Sequence, residues 1–394
     1  MDRITIVGGG LAGLTAAIAC AEGGAEVLLL EAHRQVGGRA RSLNGSYKAN
    51  LGPHALYRDG PQWAWLAERK LIPPYAKPSL VGARFRLEGT VRRTPSVRPL
   101  RRVLRLRRLP APVDRDFRTW ATERVGEEAA QILSNAAGVY SFHHDPGSLA
   151  AAFVWERSVR VLLTMPPGAR YPRGGWNSLV ELLEARARAL GVTIETGERI
   201  HALPDPPVIL ATELASARAL LADPSLRWPS GCTVCRDLGL KRRRGDPFVV
   251  SDLDEAGWVE RFTASDPSLA PPGEELVQAQ MPLRPGEDAD EAGARLERLL
   301  DASLPQWRTR ETWRRRQLMD GRTGALDPPG ATWRDRPAVD RGGGVFVAGD
   351  MVAAPGLLSE VAWASAITAS RGALAALASS RRILSGRSRE IARG

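Results

Sequence analysis

A run of glycines close to the start of the chain constrains the fold more than any other feature. Residues 3–7 (Arg-Ile-Thr-Ile-Val) are typical of a short buried strand, and Gly8-Gly9-Gly10-Leu11-Ala12-Gly13 follows directly. An Ala/Leu-rich helix is expected next, over residues 14–21. In such a turn Gly8 lets the chain leave the strand sharply, Gly10 lets the backbone approach a pyrophosphate, and Gly13 lets the helix pack against the sheet. This order predicts a dinucleotide-binding βαβ unit.

An acidic residue further along indicates which ribose the unit binds. A second strand is expected over residues 26–30, and Glu31 stands at its C-terminal end. A carboxylate in this position accepts hydrogen bonds from an adenosine ribose with a free 2′-hydroxyl, while the helix start offers N–H groups to the diphosphate. The residues expected around this part of the nucleotide are Gly8, Gly10, Leu11, Ala12, Gly13, Glu31 and Ala32.

A glycine doublet follows the acid and narrows the choice of cofactor. The segment Gln35-Val36-Gly37-Gly38-Arg39-Ala40-Arg41-Ser42 resembles the GG-doublet motif of a large flavoprotein group. That group contains phytoene desaturases, protoporphyrinogen oxidases, flavin amine oxidases and Rab GDP-dissociation inhibitors. The resemblance implies that FAD is the cofactor and that Gly38 and Arg39 lie over its diphosphate and ribityl chain.

The same resemblance assigns residues near the flavin ring. Residues 50–56 (Asn-Leu-Gly-Pro-His-Ala-Leu) are similar to the segment that passes beside the isoalloxazine, which implies Gly52, Pro53, His54 and Ala55 as cofactor contacts. His54 is the histidine best placed for acid–base work, since imidazole titrates near neutral pH. The alternative is that His54 only hydrogen-bonds the flavin or the backbone.

A second glycine-rich turn precedes a helix in the middle of the chain. Residues 171–179 (Tyr-Pro-Arg-Gly-Gly-Trp-Asn-Ser-Leu) resemble the point where the chain returns to the flavin domain, so Arg173 is expected to face the flavin or the substrate cavity as a catalytic residue. An ordinary helix-entry turn is the alternative. Further on, the resemblance implies that the backbone at Ile200 clamps the adenine. A short strand is expected over residues 198–201, and Ala211 ends a core strand over residues 207–212 beside the cofactor.

The last motif lies near the C-terminus. A strand at residues 345–348 is followed by Gly349-Asp350 and then by Pro355-Gly356-Leu357-Leu358 before a helix of small residues. The resemblance implies that Gly349 and Asp350 reach the ribityl–phosphate region. It also implies that the helix start, with Gly356, Leu357 and Leu358, points at the flavin C2 carbonyl and stabilises negative charge there.

These motifs imply an α/β fold in which the chain enters the cofactor domain three times. The expected domain is an FAD-binding, Rossmann-like domain of the glutathione-reductase type, paired with a discontinuous α+β substrate domain. The cofactor domain is expected to comprise residues 1–84, 166–225 and 331–394, and the substrate domain residues 85–165 and 226–330. Two domains suit a chain of 394 residues.

The function implied by the resemblance is an FAD-dependent oxidoreductase that removes a hydride equivalent and forms a C=C or C=N bond. Flavin amine oxidases usually carry a lysine in the strand expected at residues 231–240, where this chain has Val234 or Cys235, so a desaturase or protoporphyrinogen-oxidase-like role leads. An atypical amine oxidase is the alternative, followed by a non-redox isomerase or binding protein of the same fold. The substrate is expected to be a lipophilic or amine-bearing small molecule, with O2 or a quinone as possible reoxidant.

Composition limits partners and location. The net charge is +11, yet no nucleic-acid motif accompanies it, so nucleic-acid binding is not expected. Residues 91–110 combine arginines with leucines and could lie on an anionic membrane surface or form a solvated face. No segment looks long and apolar enough to span a bilayer, and the first strand begins almost at Met1, so a cytoplasmic, possibly peripheral, location is expected. Three cysteines form no disulfide framework, and no metal ligands lie at suitable spacing.

Overall fold

A computed structural model describes residues 3–52, 55–79, 82–94, 103, 106 and 109–391, with side chains given up to residue 380. The predictions made for Pro53 and His54, and for most of the basic stretch 91–110, lie outside the described residues.

The strands belong to three sheets. In chain order they are β1 (Arg3–Val7), β2 (Glu26–Glu31), β3 (Leu56–Tyr57), β4 (Tyr75–Ala76), β5 (Ala83–Leu87), β6 (Thr90–Arg92), β7 (Ala169–Pro172), β8 (Thr193–Thr196), β9 (Val208–Leu210), β10 (Ser230–Lys241), β11 (Val249–Asp252), β12 (Trp258–Arg261), β13 (Glu274–Pro282), β14 (Glu311–Ala325) and β15 (Val345–Val347).

The α-helices connect or cover these sheets. They are Leu11–Glu22, Pro61–Glu68, Phe117–Val125, Glu127–Ala136, Gly138–Ser141, Ala151–Val161, Asn177–Ala189, Leu214–Leu221, Ala289–Ser303, Trp307–Arg310 and Ser359–Ile391.

The first sheet is parallel and has the strand order β15-β9-β1-β2-β8. Its central strand β1 is buried from Ile4 to Val7, as expected for a strand covered on both faces by helices. The helices Leu11–Glu22 and Ser359–Ile391 pack against each other beside it, and the Cys20 and Ala369 side chains are fully buried there. The predicted α/β fold with a Rossmann-like sheet is confirmed, and this sheet gathers strands from three distant parts of the chain.

The second sheet has seven strands in the order β14-β10-β13-β12-β11-β5-β6. Neighbours are antiparallel except β11 and β5, which run parallel. One face packs against the helix Ala289–Ser303, whose Leu296, Leu299 and Leu300 side chains are fully buried. The strand β5 spans the domain boundary that the sequence predicts at residue 84.

The remaining core lies in the helices Phe117–Val125, Glu127–Ala136 and Ala151–Val161. The Phe117, Trp120 and Trp155 rings stack or tilt against one another with centroids 5.8 to 6.4 Å apart. A short third sheet has the order β3-β7-β4 with antiparallel neighbours.

Two sequence expectations are wrong. Residues 198–201 form no strand, because the Gly197 and Glu198 amides instead donate to the carbonyls of His33 and Glu31 and close an irregular loop. The second is the expectation that no segment is long and apolar enough to span a bilayer. The helical segment Ser359–Ser380 meets this criterion by length and composition alone. Its alanine-rich face instead packs in the core, as the fully buried Ala366 and Ala373 show.

Candidate functional site

The glycine turn after β1 has one open position between two crowded ones. A Cβ on Gly8, whose φ is +103°, would lie 2.6 Å from the Ala211 carbonyl oxygen, and a Cβ on Gly13 would lie 1.8 Å from the Gly8 oxygen. A Cβ on Gly10 would meet nothing within 4 Å. Gly8 and Gly13 are therefore required by the fold, whereas the space in front of Gly10 is available to a ligand.

The Glu31 carboxylate supports this turn from the end of β2. It is 5% exposed; its Oε2 accepts the Gly9 amide hydrogen at 2.6 Å, and its Oε1 accepts the His33 amide hydrogen at 2.8 Å. The His33 Nδ1 atom lies 2.8 Å from the same Oε1. Oε1 is engaged by both His33 nitrogens, whereas Oε2 accepts only the Gly9 amide and keeps a second lone pair for a ribose hydroxyl. The hydrogen bond from the Gly9 amide to Glu31 and the contacts of His33 with Glu31 were not predicted from the sequence.

The glycine doublet lies directly on the first turn. The Gly37 amide donates to the Gly9 carbonyl at 2.7 Å, and Gly37, with φ at +114°, forms a parallel bridge with Gly10. A Cβ on Gly38 would lie 3.2 Å from the Gly10 Cα. The two glycine loops thus form one surface, which places Arg39 next to the open position at Gly10.

Arg39 joins the first motif to the last. Its Nη1 and Nη2 atoms donate to the two carboxylate oxygens of Asp350 at 2.7 and 2.8 Å, and Nη1 also donates to the Arg322 carbonyl at 2.7 Å. Burial alone would lower the pKa of Arg39, but the Asp350 charge and hydrogen bonds outweigh it and raise that pKa. Arg39, Gly349, Asp350 and Thr212 line a shared cleft at the C-terminal ends of β9 and β15.

The other predicted cofactor contacts surround the same sheet edge. The Ala211 amide donates to the Val7 carbonyl at 2.8 Å, which places the end of β9 against the first glycine turn. Ile200 packs on the cofactor-domain core, in the loop whose Glu198 amide binds the Glu31 carbonyl. Leu11, Ala32 and Ala55 are partly buried, and Ala12 and Gly52 are buried. The residues present thus fit a dinucleotide along the path Glu31, Gly10, Arg39, Asp350.

The start of the helix Ser359–Ile391 is held by the buried carboxylate of Glu360. The Leu357 amide donates to Glu360 Oε2 at 3.0 Å, and Glu360, 1% exposed, also binds Arg160 at 2.7 and 2.9 Å. Arg160 in turn binds Asp59. Leu358, with φ at +52°, packs on the helical cluster. Glu360 and Arg160, which lie 200 positions apart, were not recognised from the sequence.

Asn50 connects the segment expected beside the flavin to three other parts of the molecule. Its Oδ1 accepts the Ser42 hydroxyl at 2.8 Å and the Trp176 amide at 3.3 Å, while its carbonyl accepts Gln278 Nε2 at 3.1 Å and Arg315 Nη2 at 2.6 Å. Gln278 and Arg315 also bind the buried Asp237. Residues 50–52 are therefore held by both the glycine-turn segment and the seven-stranded sheet.

The face of this sheet opposite the helix Ala289–Ser303 is polar. The strand register aligns Arg315, Asp237, Gln278 and Glu260 across β14, β10, β13 and β12. Burial raises the pKa of Asp237, partly offset by Arg315, and burial raises that of Glu260. Glu260 accepts hydrogen bonds from the Tyr171 hydroxyl at 2.6 Å and from Trp258 Nε1 at 3.0 Å, and in the described part of the chain no cation pairs with it.

Arg173 occupies an exposed turn after β7. Its amide donates to the Pro74 carbonyl at 2.8 Å, and its Nε lies 3.5 Å from the Tyr75 carbonyl oxygen. The neighbouring Gly175 approaches Ser42 so closely that a Cβ would lie 2.5 Å from the Ser42 hydroxyl oxygen. The glycines of this turn thus bring it against the cofactor domain, while the Arg173 side chain itself is exposed.

Comparison with known proteins agrees with this geometry. Residues 6–69 match the model of the NAD(P)-binding Rossmann-like domain. A carotenoid 3,4-desaturase of Haloarcula japonica is 47% identical over 53 residues, which are 13% of this chain and 11% of that protein. The sequence similarity to this relative thus spans about a tenth of its length.

Solved structures extend the likeness of fold to almost the whole chain. An oxidoreductase from Methanosarcina mazei has a TM-score of 0.76 at 17% identity, covering 93% of this chain and 99% of that one. Cyclohexylamine oxidase from Brevibacterium oxydans has a TM-score of 0.69 at 17% identity, covering 97% and 99%. The predicted resemblance to the FAD amine oxidase and desaturase superfamily is confirmed, in fold and in the N-terminal segment.

Proposed function

We propose that this chain, which has the fold of the FAD amine oxidases and desaturases, is an FAD-dependent oxidoreductase acting on a small organic molecule. The observation that carries the proposal is the continuous path from Glu31 across Gly10 to the Arg39–Asp350 ion pair. It combines a ribose-binding carboxylate, open backbone at a helix start and a cation–carboxylate pair along one sheet edge. A long dinucleotide requires such groups in this order.

Each part of the path has a separate task. Glu31 accepts hydrogen bonds from the adenosine ribose, the backbone around Gly10 and the start of the helix Leu11–Glu22 bind the diphosphate, and Arg39 and Asp350 hold the ribityl chain. When bound, FAD supplies the two-electron acceptor for oxidation of a substrate C–H bond. The protein then has to orient that bond and exclude water from it.

Asn50 and its partners supply the orientation. Asn50 and Gly52 belong to the segment expected beside the flavin ring, and the Gln278 and Arg315 bonds fix the Asn50 carbonyl to the seven-stranded sheet. This arrangement couples the position of the substrate domain to the segment beside the ring. We also propose the domain division predicted from the sequence, with a cofactor domain of residues 1–84, 166–225 and 331–394 and a substrate domain of residues 85–165 and 226–330.

The proposed reaction introduces a C=C or C=N bond into the substrate. A desaturase or protoporphyrinogen-oxidase-like role is supported by β10, where Val234 and Cys235 are buried at the positions at which an amine oxidase would carry its lysine. Amine oxidation is the second candidate, and Glu260 favours it. Its buried carboxylate, whose hydrogen-bond partners among the described residues are Tyr171 and Trp258, offers a negative charge that an ammonium group would neutralise.

Spectroscopy of the purified protein tests the proposal. A yellow protein with oxidised-flavin absorbance bands that bleach on anaerobic addition of an isoprenoid, a porphyrinogen or an amine supports it, and the class that bleaches the bands selects the reaction. FAD binding without bleaching by any of these classes would favour an isomerase. A refolded chain with no affinity for FAD would contradict the proposal.

A further inference from the structure

We propose that Arg157 binds a carboxylate group of the substrate, next to the start of the helix Ser359–Ile391. This inference rests on the proposed function, because that function places the flavin ring near the same helix start. It adds the chemical class of one substrate group, which neither the fold nor the motifs specify.

Arg157 lies at the contact between the helical cluster and the last cofactor motif. It belongs to the helix Ala151–Val161, and its Nη2 donates to the Gly356 carbonyl at 3.2 Å. Its Nη1 donates to the Phe153 carbonyl at 3.2 Å, and its guanidinium carbon lies 3.7 Å from the Phe153 ring centroid. The residue is partly buried, and one face of its guanidinium is stacked on the Phe153 ring.

Comparison with nearby arginines shows that Arg157, among the described residues, has no direct ion pair, although the Glu156 and Asp327 charges act on it from further away. Arg160, on the next turn of the same helix, binds Glu360 and Asp59. Arg336 is 3% exposed and binds Asp327 through two hydrogen bonds of 2.8 Å. Within the described residues Arg157 has only carbonyl and aromatic partners and no ion pair. Burial, followed by repulsion from Arg336, lowers the pKa of Arg157 to about 10.

Burying a cation without a direct ion pair costs free energy, and an anionic ligand that pairs with the cation offsets this cost. A carboxylate fits best, because a guanidinium presents parallel N–H groups that match its two oxygens. A phosphate would need a second cation, but Arg336 is already engaged by Asp327 and Arg160 by Glu360 and Asp59. The geometry thus selects a singly charged, planar anion.

The test compares benzoate with benzamide, a neutral molecule of nearly the same shape. Binding is measured by isothermal titration calorimetry on the purified protein, and the FAD content is read separately from flavin absorbance. The variants are Arg157→Gln and Arg157→Lys, which keeps the charge but loses the fork. The matched control is Arg124→Gln, because Arg124 also stacks on the aromatic ring four residues earlier and donates to its carbonyl, but pairs with Glu123.

We expect wild type and Arg124→Gln to bind benzoate more tightly than benzamide, and Arg157→Gln to lose about tenfold or more in benzoate affinity with unchanged FAD content. Arg157→Lys should retain part of the affinity, which shows that the charge and not a change of fold is responsible. Equal benzoate binding by wild type and Arg157→Gln, or no preference over benzamide in wild type, overturns the assignment. Absence of FAD in every variant refutes the proposed function instead, and the calorimetric comparison still decides the role of Arg157.

Discussion

Arg39 and Asp350 lie 311 positions apart in the chain and form a two-bond ion pair across the cleft of the cofactor domain. The Arg39 side chain is 35% exposed and that of Asp350 17%, so the pair is only partly shielded from solvent. Its geometry, with parallel N–H bonds to both carboxylate oxygens, is the arrangement in which an arginine–carboxylate pair gains most. This pair joins the glycine-doublet segment to the loop that follows β15.

Removing the carboxylate should therefore weaken both the fold and cofactor binding. We expect Asp350→Asn to lower the free energy of unfolding by about 1–2 kcal/mol, a value reduced from that of a fully buried pair because of solvent screening. Urea denaturation measures this loss, and FAD titration should show weaker binding. The control Glu123→Gln, which removes the carboxylate of the exposed pairs with Arg115 and Arg124, should leave stability nearly unchanged. Equal effects of the two substitutions would contradict the prediction.

Two substitutions in the first glycine turn should have different effects, one on folding and the other on FAD binding. Gly13→Ala places a methyl group 1.8 Å from the Gly8 carbonyl oxygen, so we expect loss of about 3 kcal/mol or more, or failure to fold. Gly10→Ala meets no atom within 4 Å and has an ordinary φ of −73°, so it should fold normally. Its methyl group would occupy the space reserved for the diphosphate, and FAD affinity should fall about tenfold or more. Thermal unfolding and FAD titration check the two effects, and normal FAD affinity in Gly10→Ala would show that the diphosphate lies elsewhere.

Asn50 should contribute through its side chain as well as its carbonyl. Asn50→Ala removes the acceptor of the Ser42 hydroxyl in a buried site, and we expect a cost of about 1–3 kcal/mol. A double-mutant cycle with Ser42→Ala isolates their interaction, which should be about 0.5–1.5 kcal/mol. Strictly additive effects would mean that this hydrogen bond contributes nothing to stability.

Glu260 should make stability depend on pH in a definite direction. Burial raises its folded pKa, so the folded protein holds this proton more firmly than the unfolded chain does. The resulting stabilisation is present below the ordinary glutamate pKa and is lost as the pH rises through the folded pKa. Glu260→Gln, which cannot ionise, should therefore gain stability relative to wild type at pH 8 and lose this advantage by pH 4. Urea midpoints of both proteins at the two values test it, and a constant difference would contradict the assignment.

The sequence predicted those parts of the site that depend on local geometry. Gly8 and Gly13 are recognisable because a tight turn and a close contact leave no room for a Cβ, and Glu31 because it ends a strand after a fixed interval. The Glu360–Arg160 pair and the polar row containing Gln278 and Glu260 depend on how distant strands and helices align. No local pattern indicates that alignment. The wrongly predicted strand at residues 198–201 has the same origin, since the amides there bind residues near 31–33.

The order of strands in the five-stranded sheet has a consequence for how the protein is made. The strand β9 pairs on one side with β1, which is synthesised about 200 residues earlier, and on the other with β15, which is synthesised more than 130 residues later. Until β15 is synthesised, one edge of β9 remains without its partner and Asp350 is absent from the cleft. All strands of the seven-stranded sheet are thus synthesised before the nucleotide domain can close, and during that interval the open edge of β9 can pair with the wrong strand.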